Sequence, residues 1–136
     1  MTEPILKVEG ISKGFPGVQA LSDVHLSVSA GEVLVLVGEN GAGKSSLMKT
    51  LSGIYTKDAG HIYFNGAEVD ITSPLHAQQL GVTIIHQEMN LMSDLTVAQN
   101  IYIGREPRNG IFLSETKLNA QTTELLQRLE IALEPR

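Results

Sequence analysis

The stretch that decides the fold covers residues 33–45 and reads VLVLVGENGAGKS. Five apolar residues in a row are typical of a strand that is buried on both faces, as in a parallel sheet. Residues 38–45 then follow the pattern G-x-x-x-x-G-K-[ST]. Leu47, Met48 and Leu51 come next at the spacing of one helical face. The stretch therefore predicts a buried strand, a glycine-rich loop and a helix, in that order.

The composition of this loop predicts that it holds the phosphates of a nucleotide. Its glycines allow the backbone to curl so that successive amide N–H groups point at an anion. The helix expected to begin near Gly43 adds the positive end of its dipole. Lys44 can reach the β- and γ-phosphates as a point charge, and the Ser45 hydroxyl can ligate Mg²⁺.

The alternative is a chance match, which a chain of this length shows on the order of once in 200 cases. The apolar strand before the loop and the amphipathic helix after it favour the functional interpretation. The loop does not identify the nucleotide or the work that it drives, because kinases, GTPases and transport ATPases all contain it.

The remaining strand signals predict a mixed α/β chain with a small β-rich part. Apolar and polar residues alternate in residues 6–9 and 24–28, as in half-buried strands. Asn65 and Gly66 lie between two short apolar runs and predict a hairpin, since both turn positions need a positive φ. Residues 82–85 indicate another buried strand.

Three further helices are predicted from capping signals and periodicity. Ser73 and Pro74 are typical of an N-cap and a first helical residue, and Gly81 would close that short helix. A second helix is expected at Thr96, which has the spacing of a capping box with Gln99. The last is expected from residue 117 onward, with a stripe formed by Leu118, Leu125, Leu126 and Leu129.

The bulk composition is that of one globular domain. The chain has 136 residues, of which 42% are hydrophobic and 18% charged. A net charge of −5 argues against a broad, charge-driven partner such as nucleic acid. The absence of cysteine excludes disulfides and thiolate metal sites and fits a reducing cytoplasm. The N-terminus lacks the pattern of a signal peptide, and the longest apolar run, 33–37, is too short to cross a bilayer.

When its other motifs are considered together with the loop, the chain resembles the first nucleotide-binding domain of ABC transporter ATPases. The resemblance is strongest to the branch that imports ribose, xylose and galactose. The resemblance runs from residue 5 to residue 136. Besides the loop, it rests on residues 10–21, 51–55, 84–88, 95–101 and 104–106. It implies an α/β fold in which a partial P-loop NTPase core carries an N-terminal antiparallel β subdomain and later helices. Residues 1–136 would then be the N-terminal part of one nucleotide-binding domain.

The resemblance also implies roles for individual residues. Phe15 matches an aromatic that stacks on adenine, which offers a π face, and the alternative is a residue of a small apolar cluster. Gln87 matches the Q-loop glutamine that reaches Mg²⁺ and the attacking water, and the alternative is a polar residue in a turn. Lys44 and Gln87 would be the catalytic residues, and Ser45 and Gln87 the Mg²⁺ ligands. The implied nucleotide-binding set is Phe15, Gly38, Glu39, Asn40, Gly41, Ala42, Gly43, Lys44, Ser45 and Ser46.

The implied cofactors are ATP and Mg²⁺, and the implied partners are membrane permease subunits and a second nucleotide-binding domain. Residues 91–103 resemble the surface that docks on the permease, and the alternative is an ordinary capped helix. The chain would then act at the cytoplasmic face of the cell membrane as a peripheral subunit, with no nucleic-acid partner.

Three motifs of the resembled family do not occur in the sequence: an LSGGQ-type signature, an apolar run ending in Asp-Glu, and the switch histidine. Leu51-Ser52-Gly53 begins like a signature, but it directly follows the expected phosphate-loop helix and continues with Ile54-Tyr55. The four histidines all precede the place of the switch histidine. We therefore expect a fragment or truncated product that binds ATP weakly and does not hydrolyse it at a useful rate. Unpaired apolar strand edges would also favour poor solubility or self-association.

Other functions remain as alternatives to a sugar importer. A soluble ABC-type ATPase of DNA repair or translation is one, although the acidic charge weighs against it. A P-loop kinase or GTPase is another, although the sequence has no Asn-Lys-x-Asp motif for guanine. An inactive truncated product is the last.

Overall fold

A four-stranded antiparallel sheet organises the N-terminal part of the chain in the computed structural model, which describes residues 3–87 and 91–135. The strands lie in the order β2-β1-β3-β4. Their bounds are β1 (Leu6–Phe15), β2 (Val18–Val28), β3 (Ala59–Phe64) and β4 (Ala67–Val69). The two strands predicted from alternation and the hairpin at Asn65-Gly66, where both residues have a positive φ, are confirmed.

The core lies on one face of this sheet. Val8 and Ile11 of β1 are both buried, although strict alternation would place residues three apart on opposite faces. A register shift between them, where β1 pairs with β2, brings both side chains to the same side. They pack in one cluster with Leu21, Leu47 and Ile62.

Two helices complete this first unit. Helix α1 (Lys44–Leu51) follows the glycine-rich loop and buries Leu47 and Leu51, whereas Met48, predicted on the same face, is exposed. Helix α2 is Pro74–Leu80, with Ser73 as its N-cap. The Ser73 hydroxyl accepts a hydrogen bond from the His76 amide, which confirms the predicted cap.

A second compact unit begins at His86. It contains α3 (Val97–Tyr102), the two-stranded hairpin β5 (Arg108–Asn109) and β6 (Phe112–Leu113), and α4 (Glu115–Arg128). The capping box of Thr96 and Gln99 is present as predicted. The hairpin was not predicted, because each of its strands has only two residues and carries little periodic signal.

Helix α4 departs from the predicted stripe. It begins at Glu115, with Ser114 as its N-cap, rather than at Lys117. Leu118 and Leu126 are buried, Leu125 is half-buried, and Leu129 is exposed because the helix ends before it. The buried position between the leucines is Thr122, whose hydroxyl donates to the Leu118 carbonyl and so is satisfied without water.

The predictions of buried strands at residues 33–37 and 82–85 are wrong for this structure. Neither segment is a strand, and Val33, Val37 and Ile85 are almost fully exposed. A strand is defined by hydrogen bonds to a neighbour, and none of the strands within the described residues pairs with either segment. An apolar run gives the tendency to form a strand but cannot supply the neighbour.

None of the helices in residues 3–87 and 91–135 has the length and apolar character needed to span a bilayer.

Candidate functional site

The glycine-rich loop joins the apolar segment 33–37 to α1, and its last glycine is fixed by the sheet. Gly43 is the N-cap of α1 and has a φ of 87°. A Cβ built on Gly43 would lie 2.4 Å from the Ala20 carbonyl oxygen of β2. Only glycine meets both requirements, a left-handed backbone and close approach to a neighbouring strand. The loop is thereby set against the edge of the sheet where β2 begins.

The first turn of α1 is open to an anion. Gly43 contributes no side-chain cap, and the first turn contains no acidic residue. The first helical bond runs from the Leu47 amide to the Gly43 carbonyl, at 2.9 Å. The amides of residues 44–46 precede that bond and belong to the group that a helix cannot satisfy internally. They and the helix dipole favour negative charge at this end.

Lys44 folds back over the loop. Its Nζ donates to the carbonyl oxygens of Gly38, at 2.6 Å, and Glu39, at 2.7 Å. The Ala42 amide donates to the same Glu39 carbonyl, at 3.2 Å, which keeps the turn tight. The ammonium is thus held within the loop by neutral acceptors. An anionic oxygen is a stronger acceptor than a carbonyl, so a phosphate can compete for this ammonium.

The other predicted members of the loop are accessible. The residues from Gly38 to Ala42, including Asn40 and Gly41, are exposed, as is Ser45. Ser46 is half-buried, and its carbonyl accepts a hydrogen bond from the Thr50 hydroxyl at 2.8 Å. The structure therefore brings together, in one loop and one helical turn, every predicted phosphate-binding residue.

A magnesium ion fits this donor set as a companion of the phosphates. Within the described residues, no group of three His, Cys, Asp or Glu side chains could hold a metal ion. Mg²⁺ commonly keeps several waters and is bound by one or two protein oxygens together with substrate phosphates. The exposed Ser45 hydroxyl in the first turn of α1 is a suitable oxygen of that kind.

Phe15 lies in the first unit at the end of β1, where the β1–β2 hairpin turns. It pairs with Val18 across the hairpin, and its side chain is exposed. Its ring meets the ring of Tyr55 edge to face, with centroids 5.0 Å apart and an interplanar angle of 70°. Lys13 Nζ lies 5.6 Å from the Phe15 centroid. Phe15 is thus an exposed ring with defined neighbours, which is compatible with stacking on a base.

Gln87 is the one predicted site residue outside the first unit. It is exposed and belongs to the second unit, whereas Phe15 and the loop belong to the first. The predicted strand before Gln87 is absent, so Gln87 does not end a strand here. Glu88, the last residue of the motif quoted for it, lies outside the described residues.

The predicted docking segment, residues 91–103, is organised by Asn100, which the sequence analysis did not single out. The side-chain nitrogen of Asn100, Nδ2, donates to the carbonyls of Met92, Leu95 and Thr96 at 3.0–3.1 Å. Its side-chain oxygen accepts from the Met92 amide at 2.8 Å. These four bonds tie the loop to α3, and Asn is a residue type known for such side-chain bonds to backbone. The apolar side chains of Leu91, Met92, Leu95 and Ile103 remain exposed.

Near this segment, Glu106 accepts a hydrogen bond from the Gly104 amide at 3.0 Å. Hydrogen bonds from its own amide and from that of Gly104 hold the pKa of the Glu106 carboxyl below its ordinary value. The Gly-Arg-Glu motif thus forms a local turn closed by its own carboxylate.

A family model described as ABC transporter matches residues 21–135 of this chain. A ribose/galactose/methyl galactoside import ATP-binding protein of Burkholderia cenocepacia is 55% identical over 99% of the chain. One of Albidiferax ferrireducens is 55% identical over 96%. The chain spans only about a quarter of the length of these curated relatives, 27% and 26%.

Solved structures agree with this fold. An ATP-binding cassette of an ABC transporter superposes with a TM-score of 0.81 at 27% identity, covering 99% of this chain and 58% of the other. A cassette of an ABC transporter in its ADP conformation superposes with a TM-score of 0.75 at 26% identity, covering 96% and 56%. The predicted α/β class with a P-loop NTPase core is confirmed by these likenesses.

Proposed function

Because the chain belongs to the ABC transporter family, we propose that it is the nucleotide-binding N-terminal part of the ATP-binding subunit of a monosaccharide importer. The observation that carries the proposal is the open first turn of α1 with Lys44 held over the loop before it. The relatives named for sugar import support a monosaccharide as the transported substrate.

Binding of the triphosphate uses groups that the loop already presents. The amides at the start of α1 donate to phosphate oxygens, which carry the negative charge that this helix end favours. Lys44 exchanges the neutral carbonyls of Gly38 and Glu39 for anionic phosphate oxygens, which are stronger acceptors for its ammonium. Ser45 would supply one hard oxygen to a bound Mg²⁺, and the ion would neutralise phosphate charge.

Phe15 stacks on the adenine, and an exposed ring suits this role because the base covers it. By resemblance to the family, Gln87 would be a second protein ligand to Mg²⁺ and would orient the attacking water. The sequence has no apolar run that ends in Asp-Glu, the motif in which the resembled family carries the carboxylate that acts as general base in hydrolysis. The 136-residue chain therefore binds nucleotide without turning it over at a useful rate.

Transport requires that nucleotide binding be communicated to the membrane subunits. The exposed apolar residues of the segment 91–103 form the docking surface for the permease, and the bonds of Asn100 hold that surface in shape. A second nucleotide-binding domain completes the ATP site, and the assembly works at the cytoplasmic face of the membrane. No broad contact with nucleic acid is expected from a net charge of −5.

The test is calorimetric titration of the folded chain with MgATP. We expect binding in the wild type and a loss of about 10-fold or more in Lys44→Ala, because a charge-assisted bond to phosphate is removed. Lys57→Ala is the matched control. The substitution removes the same charge, but Lys57 pairs with Asp70 and is not part of the loop. No uptake by the wild type, or equal uptake by Lys44→Ala, would overturn the proposal.

Two further measurements separate the alternatives. Competition by GTP as strong as by ATP would favour a GTPase. Co-purification with a sugar permease supports transport, and its failure with the complete subunit would favour a soluble ABC-type ATPase.

A further inference from the structure

We propose that Tyr55 is a positioning residue for the adenine, acting by holding the Phe15 ring at a fixed angle. The inference rests on the proposed function, since it assigns the base-binding half of that site. The two centroids are 5.0 Å apart with an interplanar angle of 70°, within the range of favourable edge-to-face pairs. An edge-to-face neighbour meets a ring without stacking flat on it, and Phe15 stays 37% exposed, which leaves room for a base.

Tyr55 itself is anchored by α1. The amides of Ile54 and Tyr55 both donate to the Lys49 carbonyl, at 2.9 and 3.1 Å. Lys49 Nζ lies 5.6 Å from the Tyr55 centroid, so this helical residue contacts the ring as well as the backbone. The preceding Gly53 lies against the chain before α2, where a Cβ would come within 2.3 Å of the Ser73 carbonyl oxygen. The backbone that carries Tyr55 therefore has little freedom to move.

Phe15 is also restrained by a charged pair. Lys13 Nζ, 5.6 Å from the Phe15 centroid, also donates to Asp58 at 2.7 Å. The second oxygen of Asp58 accepts from the Gly14 amide at 2.8 Å. The Asp58 amide donates in turn to the Ser12 carbonyl at 2.9 Å. The segment that follows Tyr55 is thus bonded to the strand that carries Phe15, which keeps the two rings in register.

The ring pair is connected to both sides of the phosphate loop. Phe15 precedes β2, and the Ala20 carbonyl of β2 lies against Gly43. Tyr55 follows α1, which begins at Lys44. The pair is therefore placed by the same two elements that place the phosphate-binding groups. Loss of Tyr55 should disturb recognition of the base while leaving the phosphate contacts intact.

The experiment compares two ligands, MgATP and magnesium tripolyphosphate, titrated into the full chain. Tyr55→Leu is expected to weaken MgATP about 3- to 10-fold, the range of one aromatic pair, and to change tripolyphosphate less than about 2-fold. Tyr55→Phe should restore MgATP binding, because the ring and not the hydroxyl makes the contact. Tyr63→Leu is the matched control, a tyrosine of β3 whose neighbours are His61 and Lys7 rather than Phe15.

A second readout follows the ring directly. The sequence has no tryptophan, so Phe15→Trp introduces a single tryptophan at the proposed base site, which can be excited selectively over the tyrosines. Its emission should change on adding MgATP but not tripolyphosphate. Its anisotropy without ligand should fall when Tyr55→Leu is added, since the supporting ring is gone.

The outcomes separate this proposal from the one on which it rests. Wild-type binding of both ligands with no effect of Tyr55→Leu on MgATP, or with equal loss of both ligands, overturns the role of Tyr55 and leaves nucleotide binding standing. A wild type that takes up neither ligand overturns the proposed function, and the role of Tyr55 falls with it.

Discussion

The paired strands of the sheet and the unpaired segment 33–37 carry similar apolar residues but differ in structure. Val8 and Ile62 face each other across β1 and β3 and are each 1% exposed. Val33 and Val37 belong to the most uniformly apolar run of the chain, yet they are 88% and 93% exposed. Apolar character is common to both regions, so it does not decide which becomes sheet. The deciding factor is a neighbour that offers backbone hydrogen bonds and covers the side chains.

The largest expected effect is on the free energy of unfolding, which should depend on the paired strands and not on segment 33–37. Ile62→Ala should lower the free energy of unfolding by about 2–5 kcal/mol, because it leaves a cavity in the packed cluster. Val35→Ala should change it by less than about 0.5 kcal/mol, because that side chain is already in water. Urea unfolding followed by circular dichroism measures both. Equal losses would mean that the segment is packed in solution and would break the comparison.

The next effect concerns association. Val33, Val35 and Val37 expose apolar side chains in a segment that joins neither sheet of the described residues, features that lead chains to pair between molecules. We expect the 136-residue chain to self-associate at micromolar concentration and Val35→Lys to raise the monomer fraction several-fold. Sedimentation velocity measures this fraction. The control is Val18→Lys, which replaces an exposed valine of β2 that is already paired with Phe15. A similar gain from the control would argue that general charge, and not the unpaired segment, sets solubility.

The smallest effect concerns the ion pair between Lys13 of the paired strand β1 and Asp58. A hydrogen bond from the Gly14 amide, and then one from Lys13, hold the pKa of the Asp58 carboxyl below its ordinary value of 3.8. The carboxylate therefore contributes stability that is present above that value and is lost as the pH falls through the lowered pKa. Asp58→Asn should remove this part of the acid dependence.

Thermal melts of Asp58→Asn and wild type between pH 2.5 and 6 measure the difference. We expect a gap of roughly a few degrees at most at pH 6, because exposed pairs contribute little, closing toward the acid end. Glu124→Gln, on the exposed side of α4, is the control for general charge removal. A gap that stays constant with pH would show that the carboxylate charge does not stabilise the hairpin.

Local signals in the sequence predicted much of the molecule. The caps at Ser73 and Thr96 and the Asn65-Gly66 turn formed as expected, because a short polar side chain or a permitted φ acts within a few residues. The phosphate loop belongs to the same class, since its chemistry is contained in eight consecutive residues. The importance of Asn100 was missed, although Asn just after a capping box is a signal of side-chain bonding to the loop.

The sequence by itself therefore determined the phosphate-binding loop, the helix caps and the hairpin turn, since each depends on neighbours along the chain. Tertiary structure alone decided that Val8 and Ile11 share a face, that residues 33–37 remain unpaired, and that Tyr55 meets Phe15. These outcomes depend on contacts between residues distant in sequence. A run of residues sets how readily a segment forms a strand or a contact, but the partner is supplied only when the chain folds.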